Sequence, residues 1–379
     1  YNRSYLLSWA SLGAGLWPFF FPAWFSDMAR IGNDSICCLL LSLVWLVSIK
    51  MTTLEKTCYK HFLLLGFLLS LGCLTKVIFI PITFGVLSFW LFREWNLRGE
   101  IGFLKTTRLC CLIIVAIVVS SGWWYWNNYV QYGVISGNID LKFLKQAGGL
   151  WDGLEINFSF LQWVRSNAAL AVTFGWIGSW SLVKPQLIFL TPIIFMLFLV
   201  VYAYLQNIRH RKIISSEWLP TWLALPILIG LSYHILVRIA LTGEGRGTPG
   251  FYLHILAAPM SAALGLSLYQ IWVNNFLKTI TQILFGYIIL FSMCMTWSQS
   301  LFFSGLISAS KEERIYSFPE HLPPFLGLIE VYQRLHILAY PKVGFSLLII
   351  GWATTAIGLV FTQRFACQST QIFSSKKKN

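Results

Sequence analysis

The sequence predicts an all-α fold, a polytopic transmembrane helical bundle of about ten spans, and three observations predict it. Of the 379 residues, 57% are hydrophobic and only 11% are charged, where soluble domains carry about a quarter charged residues. Apolar runs approaching the roughly 17–25 residues that cross a hydrocarbon core recur along the whole length. The lysines and arginines between those runs fall alternately on a heavily basic side and a lightly basic one. The bilayer is therefore the solvent for most of the fold, and 1–379 reads as a single membrane domain.

In chain order the expected spans are 5–25, 35–49, 61–75, 77–92, 109–126, 186–205, 218–237, 252–273, 279–296 and 343–361. Alternating the connections between two sides places Arg3, Lys50, Lys56, Lys60, Arg93, Arg98, Lys105, Arg108, Arg209, Arg211, Lys212, Lys278, Arg364 and 376–378 together. That side holds sixteen of the 28 basic residues against the four acids Glu55, Glu94, Glu100 and Glu217. The other side has twelve basic and ten acidic residues. The positive-inside bias makes the first side cytoplasmic, with both chain ends on it. The net charge of +14 is then mostly charge facing lipid headgroups. Nucleic acid is not an expected partner, because the basic residues are scattered over loops instead of clustered with exposed aromatics on one module.

Two long connections, 127–185 and 297–342, fall on the external side. Loops of that length usually have function or structure of their own. The first contains LKFLKQAGGLWDGL and FSFLQWVRSNAALAVTFGWIGSW, amphipathic and aromatic stretches suited to helices lying along the interface. In the second, Pro319, Pro323 and Pro324 break any long helix, leaving room for a short one over 325–338. Residues 362–379 read as a cytoplasmic tail. The eight cysteines, among them Cys37, Cys38, Cys73, Cys110 and Cys111, lie in or beside apolar spans without CxxC or histidine-partnered spacing. They read as small apolar side chains, with no metal site among them.

Polar residues gather on the external rim. The first external turn runs over 27–34 and holds Asp27, Arg30, Asn33 and Asp34. Asn33, Asp34 and Ser35 are helix-capping types, and Asp34 or Asp27 can equally face a polar site. The next external turn, in CLTKVIFIPI, leaves Lys76 almost no loop to carry it into water, so its ammonium either snorkels or finds an anion such as a lipid phosphate. The stretch YHILVRIALTGEGRGTPGFYLHI gathers His234, Arg238, Glu244, Arg246, Tyr252 and His254. GEGRG lacks the Gly-Lys-Ser/Thr ending of a Walker loop. Arg246 and Arg238 remain candidates for gripping phosphate oxygens, with an Arg246–Glu244 ion pair as the alternative. In SSGWWYWNNYVQYG, Trp124 and Tyr125 belong to an interfacial aromatic belt or to a sugar-stacking platform on which Asn127 and Asn128 bind hydroxyls.

Taken in order, ARIGNDS, GCLTK, WWYWNNYVQYG, TFGWIGSW and GRGTPGFYLHILAAP resemble segments of the GT-C class of integral-membrane glycosyltransferases, which includes protein O-mannosyltransferases and lipid A aminoarabinose transferases. The likeness covers about residues 5–273. Bacterial relatives often read Trp-Tyr-x-Arg-Asn where this chain has Trp124, Tyr125, Trp126, Asn127 and Asn128, so Asn127 stands in the place of an arginine. The resemblance implies inverting transfer of a sugar from a polyprenyl-phosphate donor to a lipid or polymer acceptor at the external face of a bacterial inner membrane. It implies a carboxylate base in the first external loop, here Asp34 or Asp27, and basic groups, here Lys76, Arg246 and Arg238, on the departing phosphate. Trp124, Tyr125, Asn127, Asn128, Glu244, Tyr252 and His254 would contact sugar or acceptor. No cofactor is implied with certainty, and a divalent metal is left open. The family's acidic loop follows its first span, so it is expected upstream of Tyr1. Two other readings compete. A transporter or flippase of a lipid-linked substrate predicts paired repeats and broken spans, and a noncatalytic membrane subunit predicts the bundle without a working base.

Overall fold

In the computed structural model the described residues are 13, 15, 17, 33–53, 59–175, 187–209, 215–245, 248, 250–273, 279–280, 283–284, 286–288, 290–291, 308–309, 316–317, 333, 350, 353 and 357. They form helices α1 (Asp34–Thr53), α2 (Tyr59–Thr75), α3 (Phe79–Tyr132), α4 (Ile139–Gln146), α5 (Leu150–Asn157), α6 (Phe160–Gly175), α7 (Leu187–Arg209), α8 (Leu219–Thr242) and α9 (Ala257–Val273). Two 3₁₀ segments, Ser216–Trp218 and Gly250–Leu256, precede α8 and α9. Contacts divide the chain into two compact units, one of Tyr1–Pro22, Gly178–Tyr204 and Leu264–Asn379, the other of Ala23–Ile177 and Leu205–Ala263. In the first, the Tyr287 hydroxyl donates to the Phe189 carbonyl at 2.6 Å, and β1 (Ser308–Ala309) pairs antiparallel with β2 (Tyr316–Ser317). The second holds every site residue considered below.

Five of the described helices are long and apolar enough to cross a membrane, over 34–52, 79–132, 188–209, 216–242 and 252–271, and α2 is a shorter apolar helix. Their exposed faces are as greasy as their buried ones: Leu39, Leu46, Phe67, Phe84, Val119 and Phe198 are all exposed. A helix that is apolar all round is buried in protein or in lipid, and these side chains are not buried in protein. The molecule is an integral membrane protein. The described residues show five such helices, not ten. Apart from 13, 15, 17, 350, 353 and 357, the expected spans 5–25 and 343–361 lie outside the described residues, as does half of 279–296.

Two expected spans, 77–92 and 109–126, share one element, because α3 continues through the connection between them. Residues 93–108 carry good helix formers and an i,i+4 ion pair, Arg98 to Glu94 at 2.8 Å, so they stay helical where a loop was expected. The helix nevertheless reverses. Gly99 has φ 60° and ψ −146°, a conformation open to glycine alone among ordinary residues. A straight helix would separate Phe79 from Tyr125 by roughly 70 Å. Instead the Tyr125 hydroxyl donates to the Cys73 carbonyl at 2.7 Å, one turn from where α3 begins. Both arms of this helical hairpin pack on α2: Trp90 meets Phe62 edge-on with ring centroids 5.9 Å apart, and Ile113 lies against Gly66.

The first arm also crosses α8. Pro226 has no N–H to give the Trp222 carbonyl four residues earlier, and Gly85 packs against that carbonyl so closely that a Cβ would lie 2.2 Å from the oxygen. Phe89 meets the Trp222 ring at 6.3 Å beside this crossing. The expected external loop 127–185 begins after Tyr132 and contains α4, α5 and α6. Leu144 of α4 is buried against Val237 and Ala240 of α8, with Leu150 and Leu154 of α5 packed beside them. Asn157 at the end of α5 donates to the Ala240 carbonyl at 2.9 Å. The short helices are thus fastened to the last turns of α8, at the same end of the unit as the start of α1, the α2–α3 turn and the end of α3.

Candidate functional site

The site begins where α1 and α2 meet end to end. The Asn33 carbonyl accepts from the Cys37 N–H at 2.9 Å, closing the first turn of α1. Its side chain does not cap that helix; it donates to the Thr75 carbonyl, an orphan acceptor at the end of α2, at 2.8 Å. Asp34 follows as the first residue of α1, where a carboxylate favours the helix dipole. Three residues, 76–78, then turn the chain from α2 into α3, with the Phe79 N–H bonded to the Lys76 carbonyl at 3.1 Å. A turn this tight holds the Lys76 side chain against the bundle.

Lys76 does not snorkel. Its ammonium donates to Asp34 Oδ1 and lies over the Tyr252 ring, 4.5 Å from the centroid. Both members of the ion pair are more than four-fifths covered, the Lys76 and Asp34 side chains being 19% and 17% exposed. Three residues singled out by the sequence, from the start of α1, the α2–α3 turn and the 3₁₀ segment before α9, therefore meet at one point.

A second polar cluster lies where α4 is fastened to α8. Asn138 caps α4 by accepting the Asp140 N–H at 2.9 Å, which orients Asp140 in the first turn. Arg238 donates to Asp140 Oδ1 at 2.9 Å, and His234 Nε2 lies 3.7 Å from Oδ2. His234 Nδ1 shares a hydrogen bond with the Thr248 hydroxyl at 2.7 Å. The glycine-rich segment between Gly243 and Leu256 joins the clusters, carrying Thr248 to one and Tyr252 to the other. Gly243 ends α8 in the left-handed conformation, and Gly250 serves packing. A Cβ on Gly250 would stand 2.0 Å from the Leu170 carbonyl of α6, and the Gly250 N–H donates to the Thr173 hydroxyl at 2.7 Å.

The other sequence candidates fall around these clusters. Tyr125 spends its hydroxyl on the Cys73 carbonyl. Trp124 is exposed and meets the Trp123 ring at 5.9 Å. Asn127 accepts from Gln131 at 3.4 Å on the exposed side of α3, while Asn128 is buried against Gly137. Glu244 is exposed just past α8, and its backbone N–H and carbonyl both engage the Thr242 hydroxyl. His254 is fully buried, its Nε2 bonded to the Phe174 carbonyl at 2.8 Å and its ring 5.1 Å from that of Phe174, so it belongs to the packing of α6 and not to the rim. Asp27 and Arg246 lie outside the described residues.

Sequence reasoning missed Asp140 and Thr248. The run Asn138-Ile139-Asp140 announces a helix start, but nothing local says that its carboxylate meets an arginine 98 residues away. Among the described residues no three His, Cys, Asp or Glu side chains are grouped to hold a metal ion.

Chemically, the Asp34–Lys76–Tyr252 cluster pairs a proton acceptor with a cation in a site mostly covered by protein. No family model, curated protein or solved structure matches this chain.

Proposed function

We propose that this chain is a membrane-embedded glycosyltransferase that moves a sugar from a polyprenyl-phosphate donor to a lipid or polymer acceptor at the external face of a bacterial inner membrane, with both chain ends cytoplasmic. The observation that carries the reading is the meeting of Asp34, Lys76 and Tyr252 at one end of an apolar bundle. In the proposed reaction the acceptor oxygen attacks the anomeric carbon as the bond from that carbon to the phosphate oxygen breaks. The acceptor proton passes to Asp34, and the polyprenyl phosphate leaves with the electron pair, its charge met by Lys76. The aromatic face of Tyr252 holds the ammonium in place through the exchange. Arg238, committed to Asp140, acts on the shape of the rim by fastening α4.

The test uses the full-length protein in liposomes with polyprenyl-phosphate donors carrying a radiolabelled pentose or hexose. Asp34→Asn and Lys76→Gln are each expected to lower transfer by roughly 100-fold or more while leaving membrane insertion intact. Transfer at the wild-type rate in both variants removes the proposal. The mutual neutralisation of Asp34 and Lys76 favours a second reading, a noncatalytic membrane subunit in which the pair only joins α1 to the α2–α3 turn. That reading predicts no transfer by the wild type with any donor of this class.

A further inference from the structure

A groove of about 450 Å³ opens at the polar end of the bundle, between the α3 hairpin and α4. Its walls are Val77 and Ile80 at the start of α3, Tyr129 and Ile135 at and beyond its end, and Leu141 and Lys145 of α4. The volume falls within the roughly 300–1,000 Å³ of small-ligand sites. Val77, Ile80, Tyr129 and Ile135 keep between 43% and 61% of their surface uncovered. Among the described residues the one charged wall residue is Lys145, exposed in the last turn of α4. Among those residues its side chain has no hydrogen bond or ion pair, the ion pairs of this end being Lys76–Asp34 and the Asp140 contacts with Arg238 and His234.

The geometry points to a site for one anionic phospholipid of the surrounding bilayer, its phosphate against Lys145 and an acyl chain along Val77, Ile80, Tyr129 and Ile135. Charge complementarity selects the headgroup, since the described walls offer a single unneutralised cation beside an apolar trough. Depth agrees with it. Trp126 and Tyr129, their rings 5.9 Å apart on α3, are the residue types that settle at the headgroup level. A polyprenyl-phosphate donor carries the same two chemical parts. Seated here, however, its phosphate would rest on Lys145 and not on the Lys76 that faces Asp34, which is the wrong cation for transfer. The site therefore stands or falls independently of the transferase reading.

Native mass spectrometry of the full-length protein in detergent, titrated separately with phosphatidylglycerol and phosphatidylcholine, tests it together with cross-linking by an acyl-chain diazirine phosphatidylglycerol. The wild type is expected to retain phosphatidylglycerol in preference to phosphatidylcholine, with cross-links within 77–80 and 129–145. Lys145→Gln, an exposed change, is expected to weaken phosphatidylglycerol binding about fivefold and leave phosphatidylcholine unchanged. Ile135→Trp, which fills the trough, should weaken both. Equal phosphatidylglycerol binding by wild type and Lys145→Gln overturns the assignment, as do cross-links elsewhere. Displacement of the bound lipid by equimolar polyprenyl phosphate gives the groove to the donor and overturns it too.

Discussion

At the scale of single residues, Lys76 shows how a bundle accommodates an ammonium that its own turn prevents from reaching water. Desolvating the charge is costly, and Asp34 and the Tyr252 ring offset that cost only while both are in place. Removing one partner leaves the other charge covered and unmatched. Lys76→Met and Asp34→Asn are each expected to destabilise the protein by about 2–4 kcal/mol, while the two combined recover most of that loss. Thermal unfolding in detergent compares the three, and a double variant as unstable as the sum of the singles would show that the two residues are not energetically coupled. Each of these residues was legible in the sequence as a polar group at the rim. Their meeting was not, because Asp34 and Lys76 are 42 residues apart and no local pattern encodes the angle at which α1 meets α2. His254 misled for the opposite reason: it follows the polar, glycine-rich stretch over 242–250, but it is fully buried with its ring packed against Phe174.

At the scale of elements, apolar length was enough to place α1, α2, α7 and α8, since a span is defined by a property that any window of sequence reveals. The connection inside α3 was not legible. Its charges marked it as a turn, yet helix formers and the Glu94–Arg98 pair keep it helical on both sides of Gly99. The reversal therefore depends on one residue, and Gly99 is where it can be broken. At φ 60° a Cβ added to Gly99 would meet nothing within 4 Å, so Gly99→Ala causes no clash and its cost is purely conformational. We expect it to destabilise by about 1–3 kcal/mol. Gly122→Ala, within the regular second arm and only in ordinary contact with Val118, should stabilise by about 0.5–1 kcal/mol. Unfolding midpoints that shift the same way in both variants would contradict the assignment of the turn to Gly99.

At the scale of the whole molecule, the separation of charge between the two ends of the helical unit decides how it sits in a membrane. Among the described residues one end carries Lys50, Lys60, Arg93, Arg98, Lys105, Arg108 and Arg209 against Glu94, Glu100 and Glu217. At that end Arg93 donates to the Thr52 carbonyl at 3.0 Å, tying the close of α1 to the inward end of the first α3 arm. Among the described residues the other end carries Lys76, Lys142, Lys145, Arg165 and Arg238 against Asp34, Asp140, Asp152, Glu155 and Glu244, so those charges balance. The same end holds both polar clusters and the groove beside α4. Because retention of lysine and arginine on the cytoplasmic side follows the count of positive residues in short connections, the basic end is expected to face the cytoplasm and the balanced end to face out. Single cysteines placed at Gln131 and at Lys105, in a background whose native cysteines are replaced, report this with a membrane-impermeant maleimide on intact spheroplasts. Position 131 should be labelled at once and position 105 only after the membrane is permeabilised. The reverse pattern would put the Asp34–Lys76 site in the cytoplasm, where a donor presented at the external face could not reach it, and the transferase reading would fall with the topology.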